Sequence, residues 1–226
     1  MNEAKLTQTQ KSLLKRFTEI GGCVNYVVLD FEPRQDASAH DLHRQAAIAG
    51  LEIIAKRFSA YASKTSADQN IPIGRFFSVK IDFGNARSLT GQRISDRDFL
   101  GPGFDYDRKE LAKRQSYSEP AGYAYAFSDP PYTLYDYAEK KRVSLREATE
   151  LFQAINKEVL GGVSSESVIF EWPIDWSNYF DAGQEWWGSF LWTFANPGTH
   201  RIIVLAASTT DGPDIRAIRE DPTLQP

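Results

Sequence analysis

Apolar positions recur at helical spacing in three stretches of the chain. Leu13, Phe17 and Ile20 follow a Thr7/Gln10 capping box and stop at Gly21-Gly22. Ala47, Leu51, Ile54, Phe58 and Tyr61, behind a Ser38/Asp41 cap, predict a helix from about 39 to 63. A Ser144/Glu147 capping box opens a third helix through Leu151, Phe152, Ile155 and Val159 to Gly161-Gly162. A short helix is expected at 107–115.

Other stretches read as strands. Residues 23–32 are β-branched and aromatic, and 166–172 are similar. Phe77, Val79, Ile81 and Phe83 alternate with polar residues, and Tyr123, Tyr125 and Phe127 alternate with alanines. The clearest hairpin joins 186–195 to 200–208 through Asn196-Pro197-Gly198-Thr199, where Pro followed by Gly suits a type II turn. Within it, Trp186, Gly188, Phe190, Trp192 and Phe194 share one parity and are expected inside. Trp187, Ser189, Leu191, Thr193 and Ala195 share the other, which makes Trp187 the ring expected at the surface.

The helices interrupt the strands without a βαβ rhythm. The expected fold is therefore α+β: a single domain over 1–211, with a largely antiparallel sheet of five or six strands and three main helices against one face. Residues 84–121 read as an irregular insertion or long loop, and 212–226 as a loosely held tail.

Composition narrows the function. A single cysteine, Cys23, excludes an internal disulfide framework and any multi-cysteine zinc site. The first 17 residues lack an apolar core like that of a signal peptide, and no apolar run has the length of a membrane span, so a soluble, cytoplasmic protein is expected. A formal charge of −4 and a pI near 5.5 argue against general affinity for nucleic acid or anionic membrane. Oligomeric state stays open.

The charge is unevenly placed. No Lys or Arg lies between Lys157 and Arg201, whereas Glu158, Glu166, Glu171, Asp175, Asp181 and Glu185 all do. All five tryptophans fall in that same window. Tryptophan and tyrosine are preferred anchors of protein interfaces, and a fringe of acids steers a basic partner. The primary expectation is thus a protein-binding module, in composition like small acidic proteins that neutralise basic toxins. Its candidate contact residues are Trp176, Tyr179, Asp181, Glu185 and Trp187.

The alternative is an enzyme acting on a carbohydrate or nucleotide-like substrate. Glu171 and Glu185 are candidates for the paired carboxylates of glycoside hydrolysis. Asp129-Pro130-Pro131-Tyr132 resembles the D/N-P-P-Y motif of amino-group methyltransferases. That resemblance implies hydrogen bonds from a target NH₂ to Asp129, stacking on Tyr132, and S-adenosylmethionine as methyl donor. It covers about ten residues, and the Gly-rich loop that would cradle such a cofactor has no counterpart in the sequence. Asp-Pro-Pro-Tyr also suits a strand-ending turn, which is the adopted reading, and no cofactor is expected. His40 and His43 could meet on one helix face, but they are read as a solvated helix start rather than metal ligands. Cys23 is read as a small buried hydrophobe, and Ser208-Thr209-Thr210-Asp211 as a loop start.

Overall fold

A computed structural model describes residues 1–32, 37–65, 79–112, 121–130, 133–184 and 187–208. Its elements are β1 (Asn2–Glu3), α1 (Gln8–Glu19), β2 (Val24–Asp30), α2 (Ala39–Thr65), α3 (Phe83–Ala86), β3 (Gln92–Ile94), α4 (Asp96–Leu100), β4 (Phe104–Asp105) and β5 (Glu110–Leu111). They continue with α5 (Tyr123–Ser128), β6 (Tyr135–Asp136), β7 (Lys141–Arg142), α6 (Leu145–Glu158), β8 (Val168–Glu171), α7 (Asp181–Gln184), β9 (Ser189–Ala195) and β10 (Arg201–Ser208).

Six strands form one sheet in the order β1-β2-β10-β9-β8-β3, with every pairing antiparallel. The fold is α+β, as the pattern predicts, and α1, α2 and α6 are the three substantial helices. The capping boxes Thr7/Gln10 and Ser144/Glu147 both close as the sequence signals. In the hairpin turn Gly198 has φ +73°, and the Thr199 N–H donates to the Asn196 carbonyl. Asn196 Nδ2 also donates to the carbonyls of Leu160 and Gly162, tying the end of α6 to the hairpin.

The helices do not share one face. Successive strand residues feed two cores, one on each side of the sheet. Val24, Tyr26 and Val28 of β2, with Trp192, Phe194, Ile203 and Leu205, pack against α1, α4, α5 and α6. Val27 and Leu29, with Phe170, Leu191, Ile202 and Val204, pack against α2 and the segment holding Trp172, Trp176 and Tyr179. The central strand β10 (RIIVLAAS) is apolar on both parities because both of its faces are covered.

Gly50 sets how closely α2 approaches that strand. A Cβ added there would lie 2.7 Å from Val204 Cγ2, and Val204 is fully buried. Alanine ordinarily favours a helix over glycine by about 1 kcal/mol. Here overpacking, worth about 1–3 kcal/mol, outweighs that gain. Gly50→Ala is expected to destabilise the protein by a net of about 1 kcal/mol, read as a Tm lowered by about 2–4 °C in thermal unfolding. A raised Tm would mean that the contact is looser than it looks.

Several expected elements differ. Tyr123, Tyr125 and Phe127 lie on a short helix, α5, not a strand. All five residues from Tyr123 to Phe127 are buried, so their alternation marks no wet face, and alanine favours the helix. Phe83 begins α3 and is exposed, because Asp82 caps that helix by accepting the N–H groups of Gly84 and Asn85 and so ends the extended chain. Of the expected strand there, Ile81 keeps a single bridge to Ser177, and Phe77 lies outside the described residues. The stretch 107–112 is no helix: β4 and β5 form a small hairpin, with Asp105 Oδ1 accepting the N–H groups of Asp107 and Arg108. Within 84–121, read as an irregular insertion or long loop, β3 pairs with β8 at the sheet edge and Phe99 is fully buried against Tyr123 and Trp192, while 113–120 lie outside the described residues. The tail 212–226 lies outside the described residues.

Candidate functional site

Among the described residues from Glu171 to Trp187, the rings of Trp172, Trp176, Tyr179, Phe180 and Trp187 are turned inward. Trp176 is 1% exposed, and its indole N–H donates to the Pro173 carbonyl at 2.7 Å. Tyr179 is 2% exposed; its hydroxyl accepts from Asn25 Nδ2 and donates to the Ala206 carbonyl. Trp187, the ring expected outside, is buried at 8%. It stacks on Tyr125 with a centroid distance of 5.8 Å, and its Nε1–H donates to the Asp129 carbonyl at 2.6 Å. None of these three rings offers an anchor to a partner. The exposure expected for them is corrected by long-range packing: Trp176 and Tyr179 are buried in the second core, and Trp187 in the first against Tyr125 and Phe190.

The acids behave differently from the rings. Glu166, Glu171, Asp175 and Asp181 are exposed. Among the described residues none of them is in an ion pair, whereas acids elsewhere commonly are: Asp136 with Arg16, Glu3 with Arg57 and Asp30 with Arg201. Partial burial and the nearby charge of Asp98 raise the Glu171 carboxyl above its ordinary range, with Trp192 opposing. Glu185 and Trp186 lie outside the described residues, so the Glu171/Glu185 pairing has no geometry to report.

Two regions that are distant in sequence meet at Trp187. Its hydrogen bond to Asp129 joins the acidic stretch to the Asp129-Pro130 turn 58 residues away. Beside that turn lies a cavity of about 460 Å³, lined by Tyr125, Ser128, Asp129, Leu134, Arg142 and Leu145 among others. Asp129 is the one carboxylate on its described lining. Tyr132 lies outside the described residues. Asp129 follows a helix instead of a strand, so the turn does not have the setting that the methyltransferase resemblance requires, and the residues present do not fit S-adenosylmethionine chemistry.

Of the two helix histidines, His43 is buried and His40 half-buried, so the pair is not a solvated helix start. His43 is 3% exposed in the second core, with Nδ1 2.8 Å from Thr193 Oγ1, and the same oxygen accepts the Trp172 indole N–H at 2.8 Å. Burial, helped by His40 and Arg93, lowers the His43 pKa to about 4. His40 Nε2 accepts the Gly91 N–H. These bonds hold both rings as structural members, and among the described residues no three His, Cys, Asp or Glu side chains gather as metal ligands. Burial pushes the Cys23 thiol up to about 12, which leaves it protonated and unreactive at neutral pH. Ser208 is buried beside Ser189, while Thr209, Thr210 and Asp211 lie outside the described residues.

Arg142 on the cavity and the His43–Thr193–Trp172 cluster are the features that sequence reasoning passes over. The only sequence signal for the first is the basic run Lys140-Lys141-Arg142 ahead of a helix cap. For the second there is none, because its members are up to 150 residues apart. No described helix is long and apolar enough to cross a membrane. Comparison with protein-family models, with curated proteins and with solved structures gives no match to this chain.

Proposed function

We propose that this chain is a cytoplasmic protein-binding module that meets a basic protein through its acidic stretch, in the manner of small proteins that neutralise basic toxins. The observation that supports this reading is the set of exposed, unpaired carboxylates at Glu166, Glu171, Asp175 and Asp181 among the described residues, in a stretch with no Lys or Arg. Unpaired surface charge of one sign does little for stability, but it raises the rate at which an oppositely charged partner arrives. The buried Trp176 and Tyr179 fix the backbone that carries these acids, so the charges are presented with little ordering cost on binding. A paired-carboxylate mechanism draws no comparable support, since the cavity's described lining holds Asp129 alone as an acid.

The test is an affinity capture from the native cell with two baits, the natural chain and an Asp175→Lys/Asp181→Lys variant. The natural chain is expected to retain a stoichiometric basic protein. With that partner purified, the variant should associate about tenfold more slowly and show a weaker salt dependence, at unchanged Tm. Equal association rates for the two baits would remove the acidic stretch as the contact surface.

A further inference from the structure

We propose that the cavity beside Asp129 binds a small organic monocarboxylate with an apolar body, seating the carboxylate on Arg142. This goes beyond the protein-partner reading and does not depend on it.

The cavity lies between the end of α5, the β6–β7 hairpin and the start of α6, and its volume of about 460 Å³ falls within the range of small-molecule sites. One side of its lining is apolar: Ala112, Leu134, Val143, Leu145 and Ala148. Leu145 is 47% exposed at the first position of α6, where it gains nothing from the core. An apolar side chain left open beside a cavity is a surface that an apolar ligand would cover.

The polar side of the lining points to the charge of the ligand. Arg142 is the one cation on the described lining, and among the described residues it has no ion-pair partner. Its neighbour Lys141 is engaged by Glu147 at 3.4 Å, and Arg16 on α1 by Asp136 at 2.5 Å. The planar guanidinium matches a carboxylate with two parallel hydrogen bonds. A single guanidinium matches one anionic group, so the several charges of a polyphosphate would be left unpaired on this lining.

The walls are held before any ligand arrives. Ser128 Oγ donates to the Ala124 carbonyl at 2.8 Å, and the Asp129 carbonyl is fixed by Trp187. The Thr133 N–H donates to the Pro130 carbonyl, and the Val143 N–H to the Leu134 carbonyl. The Arg16–Asp136 pair fastens the hairpin carrying Arg142 to α1. A pocket organised in this way loses little entropy when it is filled.

The experiment titrates the full chain with 3-phenylpropionate and hexanoate by calorimetry and amide NMR. Their primary amides, acetate and ATP serve as controls. Both carboxylates are expected to bind with Kd below about 1 mM and to shift the resonances of Leu134, Val143 and Ala148. The amides should bind about tenfold more weakly, because the charge-assisted pair is lost. Acetate, which lacks the apolar body, and ATP, which carries too much charge, should leave those resonances in place. Arg142→Gln should weaken the carboxylates about tenfold at unchanged Tm, and Leu145→Ala should weaken them several-fold, hexanoate included. The proposal fails if neither carboxylate shifts the cavity resonances at millimolar concentration, if acid and amide bind equally, or if Arg142→Gln binds as tightly as the natural chain.

Discussion

Trp176→Ala is expected to cost about 3–5 kcal/mol of stability, the range for removing a large aromatic ring from a closed core. The ring is 1% exposed, and its indole N–H holds the Pro173 carbonyl. Its own carbonyl accepts the Asp82 N–H, which joins the acidic stretch to the chain at Ile81–Asp82. Domains of this kind have about 5–15 kcal/mol in total, so the variant should be close to unfolding at 37 °C. Trp176→Phe keeps most of the ring and loses the hydrogen bond, at about 1–2 kcal/mol. Urea unfolding followed by circular dichroism reads both. A partner-contact ring would give the opposite result: full stability for Trp176→Ala, with lost binding only. That outcome would return Trp176 to the surface role its sequence context suggests.

The misplacement of these rings shows which part of the fold is local information. The helices α1, α2 and α6 are legible because a cap and a 3.6-residue period are contained within one short stretch. The hairpin is legible because Pro197-Gly198 dictates its own turn. The second core is not. Thr193 and Ser189 give one parity of β9 a polar look, yet Thr193 is fully buried, since His43 and Trp172 satisfy its hydroxyl. A polar residue is read as exposed unless its partner is known, and here the partner sits 150 residues upstream. Trp187 is hidden by Tyr125 and Asp129 for the same reason. Tyr123–Phe127 went astray differently: with every side buried, period 2 and period 3.6 leave the same trace in so short a segment. Of the candidate site, the exposed acids are local facts and survive, whereas the rings and the cavity depend on long-range contacts.

The buried His43 makes a second large effect, one that depends on pH. In the folded chain burial lowers its pKa from 6.5 to about 4, with His40 and Arg93 adding to the effect. Thr193 Oγ1 lies 2.8 Å from His43 Nδ1 and also accepts the Trp172 indole N–H, and a hydrogen bond to the Thr193 backbone opposes the effect of burial without overcoming it. Below pH 6.5 the unfolded chain takes up a proton that the folded chain resists. The stability due to a neutral His43 is therefore complete above about pH 6.5 and drains as the pH falls towards 4. Each tenfold step in proton affinity is worth about 1.4 kcal/mol, so about 2 kcal/mol should be gone by pH 5 and on the order of 3 kcal/mol by pH 4. Asp136 and Glu147, whose carboxyls are held low by hydrogen bonds from Glu139 and Arg16 and from Ser144 respectively, add losses only further down, near the ordinary carboxylate range. Urea unfolding between pH 7.5 and 5 thus reads chiefly the imidazole, with the raised Glu171 carboxyl opposing it towards the lower end, and in His43→Gln the falling slope over that interval should disappear. Should that variant fail to fold, NMR of the natural chain gives the same answer, because the His43 ring signals should stay unshifted down to about pH 5. Titration of His43 near 6.5 would place the ring in contact with water and break the link between Thr193, Trp172 and the second core.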